Sequence, residues 1–418
     1  MSILIKSATL IDPGNTSLHL KKRDVLVKKG TIEKIAAKIS VGRNTQIIER
    51  HNLHLSVGWF DSSVAFGEPG FEERETITNG LEVAAKSGFT DILLNTNTSP
   101  TPDTSSDIVF LKERGNGKVT NLYPLGNLTQ AGKGEHLAEL YDMHNAGAVG
   151  FYDYKKSIAD ANLMKIALLY AQNFGGLVCS FPQDTSIAAH GNVHEGEVST
   201  RLGLKGVPAL AEELQIARDL FLLEYTGGKL HIPTVSSIGS IKLIAEAKKK
   251  GLDVTCSVPI HNLFFTDKEL ETFDTNFKTK PPIRQKQDAQ ALLKGLKNGT
   301  IDFVTSDHTP IDIEEKRVEF DNADFGTIGL ESAFGGLNAL LDTEETVKLL
   351  TKGRERFHVK TPKLKEGEPA NLTLFDPDEE YVFSTGHIGS TSKNSIFLNK
   401  KIKGLVYGSI NNGKMVLN

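Results

Sequence analysis

Short apolar runs alternating with turn signals open and close the chain. Ile3-Leu4-Ile5, Asp24-Val25-Leu26-Val27 and Thr31-Ile32-Glu33-Lys34-Ile35 read as strands, broken by Asp12-Pro13-Gly14 and Lys29-Gly30. Near the other end, Asn371-Leu372-Thr373-Leu374-Phe375, Tyr381-Val382-Phe383, Gly404-Leu405-Val406-Tyr407 and Lys414-Met415-Val416-Leu417 read alike, with Asn411-Asn412-Gly413 as a hairpin turn. Two strand-rich ends around a different middle predict one small β domain, a sandwich formed by both termini from residues 1–54 plus 366–418.

The middle, residues 55–365, alternates strand and helix patterns. Near-continuous apolar runs occur at Asp91-Ile92-Leu93-Leu94, Ala148-Val149-Gly150-Phe151, Gly176-Leu177-Val178-Cys179, Lys229-Leu230-His231-Ile232, Asp253-Val254-Thr255-Cys256 and Ile301-Asp302-Phe303-Val304. Between them, Leu163, Ile166, Ala167 and Tyr170 follow helical spacing, as do Leu210, Leu214, Ala217 and Phe221 after a helix-starting Pro208. Apolar strands alternating with helices imply a buried parallel sheet. Adding a strand over 57–64 and one near Asn121-Leu122-Tyr123 gives eight, the number of a (β/α)8 TIM barrel. A doubly wound open sheet fits the same alternation.

Composition narrows the class of protein. The 418 residues suffice for one large domain plus a smaller one. A net charge of −4 gives no reason to expect nucleic acid or an anionic membrane as partner. No apolar run approaches the ~20 residues needed to span a bilayer. The start, Met1-Ser2-Ile3-Leu4-Ile5-Lys6, lacks a secretory pattern, so a cytoplasmic location is expected. Cys179 and Cys256 lie in strand-like runs and read as core residues. His51 and His54 read as surface at a domain junction.

Several longer stretches carry a resemblance. Val57-Gly58-Trp59-Phe60-Asp61-Ser62-Ser63-Val64-Ala65-Phe66-Gly67-Glu68-Pro69-Gly70 has the frame PGFIDxHxHxRxPG. Thr275-Asn276-Phe277-Lys278 with Pro281-Pro282-Ile283-Arg284 looks like TNFKxNPPLR, and His194-Glu195-Gly196-Glu197-Val198-Ser199 like NEGEVS. Gly326-Thr327-Ile328-Gly329-Leu330-Glu331 and Ser392-Lys393-Asn394-Ser395 look like GxxGLE and SKNS. Together they resemble the class I dihydroorotases of the amidohydrolase superfamily, over nearly the whole chain. The resemblance implies an amidohydrolase-type barrel, zinc at the C-terminal ends of its strands, and hydrolysis of a cyclic amide.

The metal places depart from that pattern. Ser63 and Ala65 stand where the family has its first two zinc histidines, one residue apart on one strand face. Phe181 and Thr234 stand where it has the other two, and Gly67 replaces the arginine that grips the substrate carboxylate. Neither an alcohol, a methyl group nor a phenyl ring replaces an imidazole on zinc. Asp307, the family's metal-ligating and proton-handling aspartate, is retained, with Asp61 and Asp153 as weak further metal candidates. Asn97, His261 and His308 are candidate pocket residues. For the pair Lys155-Lys156, an exposed helix start is the simpler reading and a cation in place of zinc the sharper one. The expectation is a catalytically degenerate member with no cofactor, a non-catalytic partner of aspartate carbamoyltransferase, and a homodimer. The alternative is an active cyclic amidohydrolase with a non-standard zinc site.

Overall fold

The computed structural model describes residues 2–418. Eight parallel staves close into a barrel. The first three are Trp59–Val64, Phe89–Leu94 and Asn121–Pro124. The fourth is reduced to Phe151, which bridges Gly126 on one side and Val178 on the other. Val178–Cys179, Leu230–Ile232, Val254–Pro259 and Phe303–Thr305 complete the round. A parallel bridge between Val64 and His308 joins last strand to first, so the sheet is a barrel rather than an open doubly wound array.

The barrel interior is filled by side chains. Phe60, Leu93, Tyr152, Cys179, Phe181 and Phe303 form one buried cluster inside it. His231 stacks on Phe303 with ring centroids 5.3 Å apart, and its Nδ1 meets Thr255 Oγ1 at 2.9 Å. At the opposite end from the candidate site, the buried Arg354 donates to Gly58 O at 2.8 Å and to Asp91 Oδ2 at 2.7 Å, tying the first two strands together.

Strands from both ends of the chain make a second sheet of eight strands. Ser2–Leu10 lies near its centre, antiparallel to Lys22–Lys28 and parallel to Gln46–Ile48 and His54–Val57. Leu372–Val382 then pairs with His54–Val57 and with Lys401–Asn411, and Lys414–Leu417 forms the edge. Its apolar core gathers Ile3, Ile5, Val25, Leu55, Leu372 and Ile410.

Two helices turn differently from the expected faces. In Ala209–Thr226 the buried side carries Ala211, Glu212, Gln215, Ile216, Asp219 and Leu220, while Leu210, Leu214 and Phe221 face out. Polar groups occupy the inner side because each finds partners: Glu212 takes Ser236 N at 2.8 Å and Ser240 Oγ at 2.6 Å, and Asp219 takes Ser180 Oγ at 2.6 Å. In Ala161–Ala171 the inner face is Leu163, Met164, Ala167 and Leu168, leaving Ile166 and Tyr170 outside. Cys179 and Cys256 are buried and unpaired, and burial pushes the Cys179 thiol up to about 12. No helix among the described residues is long and apolar enough to cross a membrane.

Candidate functional site at the barrel mouth

The C-terminal ends of barrel strands are where chemistry collects in this architecture. At the end of the eighth strand, Asp307 lies fully buried. Its Oδ1 accepts from Ser63 Oγ at 2.9 Å, and its Oδ2 accepts from Lys155 Nζ at 2.8 Å. Asn95 Nδ2 in turn donates to Ser63 Oγ at 3.0 Å. Lys155 and Asp307 both take left-handed backbone, with φ 52° and 49°. That conformation costs a non-glycine residue about 1 kcal/mol or more. Burial pushes the Asp307 carboxyl up while Lys155 and Ser63 pull it down. Burial disfavours the Lys155 charge, but Asp307 and Tyr154 outweigh that and hold the ammonium above its ordinary value.

Lys155 is therefore not the exposed helix start that its sequence context suggested. The next helix begins at Ala161, and the Lys155 side chain is only 11% exposed. Its backbone N–H donates to Tyr152 Oη at 3.0 Å, and Tyr154 Oη meets Thr309 Oγ1 at 2.8 Å, so tyrosines and a threonine frame the ion pair. Lys156 turns away, donating to Gly132 O at 3.3 Å.

The other weak metal candidates are committed to backbone. Asp61 accepts from Ser63 N at 3.0 Å, Ser306 N at 2.9 Å and the Thr305 hydroxyl. Asp153 accepts from Leu128 N at 2.9 Å, Thr129 N at 3.0 Å and the Thr129 hydroxyl. Ala65 is buried, its N–H donating to His308 O at 2.8 Å. Phe181 packs inside the barrel beneath Lys280, whose Nζ lies 5.0 Å from the ring centroid. Thr234 is buried just beyond the sixth strand. Zinc takes nitrogen, sulfur and carboxylate donors. Ser63, Ala65, Phe181 and Thr234 supply none, and the one retained carboxylate carries an ammonium. The residues present do not fit a zinc centre. Among the described residues no group of three or more His, Cys, Asp or Glu is placed to hold a metal ion.

The substrate-pocket candidates scatter. His308 Nδ1 accepts from Gly329 N at 3.2 Å and more weakly from Leu330 N, at the start of the helix Leu330–Asn338, and its Nε2 is buried without a partner. His261 is buried with Nε2 likewise unpartnered. Burial pushes both imidazoles down to about 3. Asn97 Nδ2 donates to Phe66 O at 3.0 Å, and this residue lines a cleft of about 600 Å³ with Asn127, Tyr154, Lys156, Thr309 and Phe325. Asp307, His261 and His308 do not line that cleft. At Gly67 a Cβ would fall 2.0 Å from Phe71 O, because the loop turns back there and Phe71 N donates to Gly67 O at 2.8 Å. An arginine has no room in that turn.

The stretches that carry the family frame hold loops in place. Arg284 reaches Ser236 Oγ at 2.7 Å, Glu212 Oε2 at 3.1 Å and His194 Nδ1 at 3.1 Å. Lys278 Nζ donates to Phe320 O at 3.0 Å and Asp321 O at 2.8 Å. Asn394 bonds Thr309 O at 3.1 Å and Ile311 N at 3.2 Å, and Glu331 accepts from Ser390 Oγ at 2.6 Å.

Comparison with known proteins agrees with this frame. The Dihydro-orotase-like family model matches residues 54–240. A dihydroorotase of Pelotomaculum thermopropionicum is 38% identical, the match covering 100% of this chain and 99% of that protein. A dihydroorotase of Geotalea daltonii is 34% identical over the same shares. The fold is that of the L-hydantoinase (dihydropyrimidinase) from Arthrobacter aurescens, with a TM-score of 0.85 at 22% identity, covering 100% of this chain and 96% of that one. Dihydropyrimidinase from Brevibacillus agri NCHU1002 superposes with a TM-score of 0.81 at 21% identity, covering 100% and 95%. Likeness across the whole of this chain at this level of identity places it in the dihydroorotase family.

Proposed function

We propose that this chain is a catalytically degenerate dihydroorotase-type protein of pyrimidine biosynthesis that acts as a non-catalytic partner of aspartate carbamoyltransferase. The observation that carries the reading is the Lys155 ammonium seated on Asp307 Oδ2 at 2.8 Å. Opening or closing a cyclic amide needs a polarised carbonyl and a water ionised near neutral pH. Zinc supplies both by lowering its water's pKa from ~15.7 to about 7. An ammonium neutralises the carboxylate without activating water, and it occupies the oxygen a general base would use. Asp61 and Asp153 have their oxygens filled by backbone N–H groups and hydroxyls.

A contact role needs a surface, and the helix Ala209–Thr226 offers one. Leu210, Leu214, Phe221 and Tyr225 form an outward apolar ridge, with Phe221 71% and Tyr225 80% exposed. Exposed apolar side chains gathered on one helix face are what a docking partner would cover.

Sedimentation of the full chain with the transferase at micromolar concentration tests the reading. A complex that Phe221→Ser abolishes is expected. Separate migration with transferase activity unchanged overturns it. The resemblance also implies a homodimer, which the same run reads as a doubled mass for the chain alone. Stoichiometric zinc after dialysis, with dihydroorotate turnover lost in Asp307→Asn, establishes the active alternative instead.

A further inference from the structure

A second cleft, of about 480 Å³, opens beside the barrel mouth. Its wall carries Lys280, Lys205 and His190 against one carboxylate, Asp321. Asp321 Oδ1 is already engaged by Asn192 Nδ2 at 2.7 Å. Lys280 Nζ donates to Lys155 O at 2.9 Å, and no carboxylate pairs with it among the described residues. An ammonium has three donors, so two remain open. The charges that act on it are Lys155 and Lys156, and the carboxylate beside Lys155, Asp307, is already bound to Lys155. Burial and those two neighbours push the Lys280 amine down to about 8. A cation held without a counter-ion beside an open cleft is costly unless something negative shares the site.

We propose that this cleft binds a small oxyanion, a carboxylate or phosphate group, with Lys280 as the inner contact and Lys205 at the rim. Charge-assisted N–H to oxyanion bonds are roughly twice as strong as neutral ones. Asn192 lines the same wall and keeps one amide N–H beyond its bond to Asp321. Lys280 stands at the asparagine of the family's NPP run, one of its substrate contacts, while Lys205 and Asn192 lie outside that set, and the site does not depend on whether the barrel is catalytic.

Calorimetric titration of the full chain with succinate and, separately, inorganic phosphate tests it at fixed ionic strength. Saturable binding by at least one anion at pH 7 is expected, and comparison of the two arms names the preferred group. Lys280→Met abolishes that binding and Lys205→Ala weakens it severalfold, while Lys156→Ala retains it. Succinate binding weakens about tenfold from pH 7 to pH 9, as an amine titrating near 8 loses its proton. A second variant, Lys280→Arg, keeps the charge and retains binding, which separates loss of the contact from loss of the fold. Absence of saturable binding by both anions, or equal binding by Lys280→Met, overturns the proposal.

Discussion

Lys155 and Asp307 lie 152 residues apart in sequence and 2.8 Å apart in space, a buried ion pair across the mouth of the barrel. Removing one partner of such a pair leaves a charge in a medium that cannot solvate it. Lys155→Met is expected to lose about 3–5 kcal/mol in urea unfolding. The double variant Lys155→Met/Asp307→Asn recovers most of that, since neither charge is then stranded. A single variant as stable as the parent would show that the pair contributes nothing.

The metal place needs more than its first two histidines. Ser63→His/Ala65→His is expected to stay substoichiometric in zinc after dialysis, measured by elemental mass spectrometry. Phe181 and Thr234 still offer no donor, and Lys155 still holds Asp307. One equivalent of zinc in that double variant would sink the prediction.

Buried histidines set the acid limit of stability. Burial pushes His261 and His308 to about 3, and burial with Arg284 pushes His194 to about 4. Unfolded, each titrates near ~6.5. Their folded values are depressed, so the stability they contribute is complete above the unfolded value and is lost as pH falls toward the folded ones. Each adds a slope of ~1.4 kcal/mol per pH unit in that window. Asp61, Asp153 and Asp307 are raised by burial and act with opposite sign, favouring the fold at low pH and losing that contribution as pH rises. The histidine contribution lies between about pH 6.5 and about pH 5, where the unfolded imidazoles take up protons. Denaturant midpoints should fall across that range, and His261→Gln should flatten the slope by about one proton. An unaltered slope in the variant refutes the assignment.

Phe181 is held as packing. It is 2% exposed among Tyr152, Cys179 and Phe303. Phe181→Ala is expected to cost about 3–5 kcal/mol through lost burial and the cavity left behind. Phe181→Leu, checked by the same unfolding curve, loses much less.

Much of the barrel was legible because its strands are buried on both faces and so read as unbroken apolar runs. Even Ala148-Val149-Gly150-Phe151 registers as a strand, though only Phe151 bridges its neighbours. Helix faces were less legible. Spacing grouped Leu210, Leu214 and Phe221 on one apolar helix face, but Glu212, Gln215 and Asp219 hold the inner side through hydrogen bonds that no hydrophobicity pattern reveals. Ser63, Ala65, Phe181 and Thr234 are assigned to the family's ligand places by the frame alone. The partner of Asp307 could not, since two adjacent lysines look like solvated surface in any local window. The available signal was indirect: a carboxylate retained where its nitrogens had gone still needed a positive neighbour. Lys280 was visible only as an asparagine lost from NPP.

The tight turn at Gly67 makes the order of any reversal matter. With Phe71 O 2.0 Å from where a Cβ would stand, no side chain enters until the 67–71 segment has been rebuilt. Single-codon change at 67 therefore cannot by itself seat a guanidinium there; the backbone of the turn has to move with it.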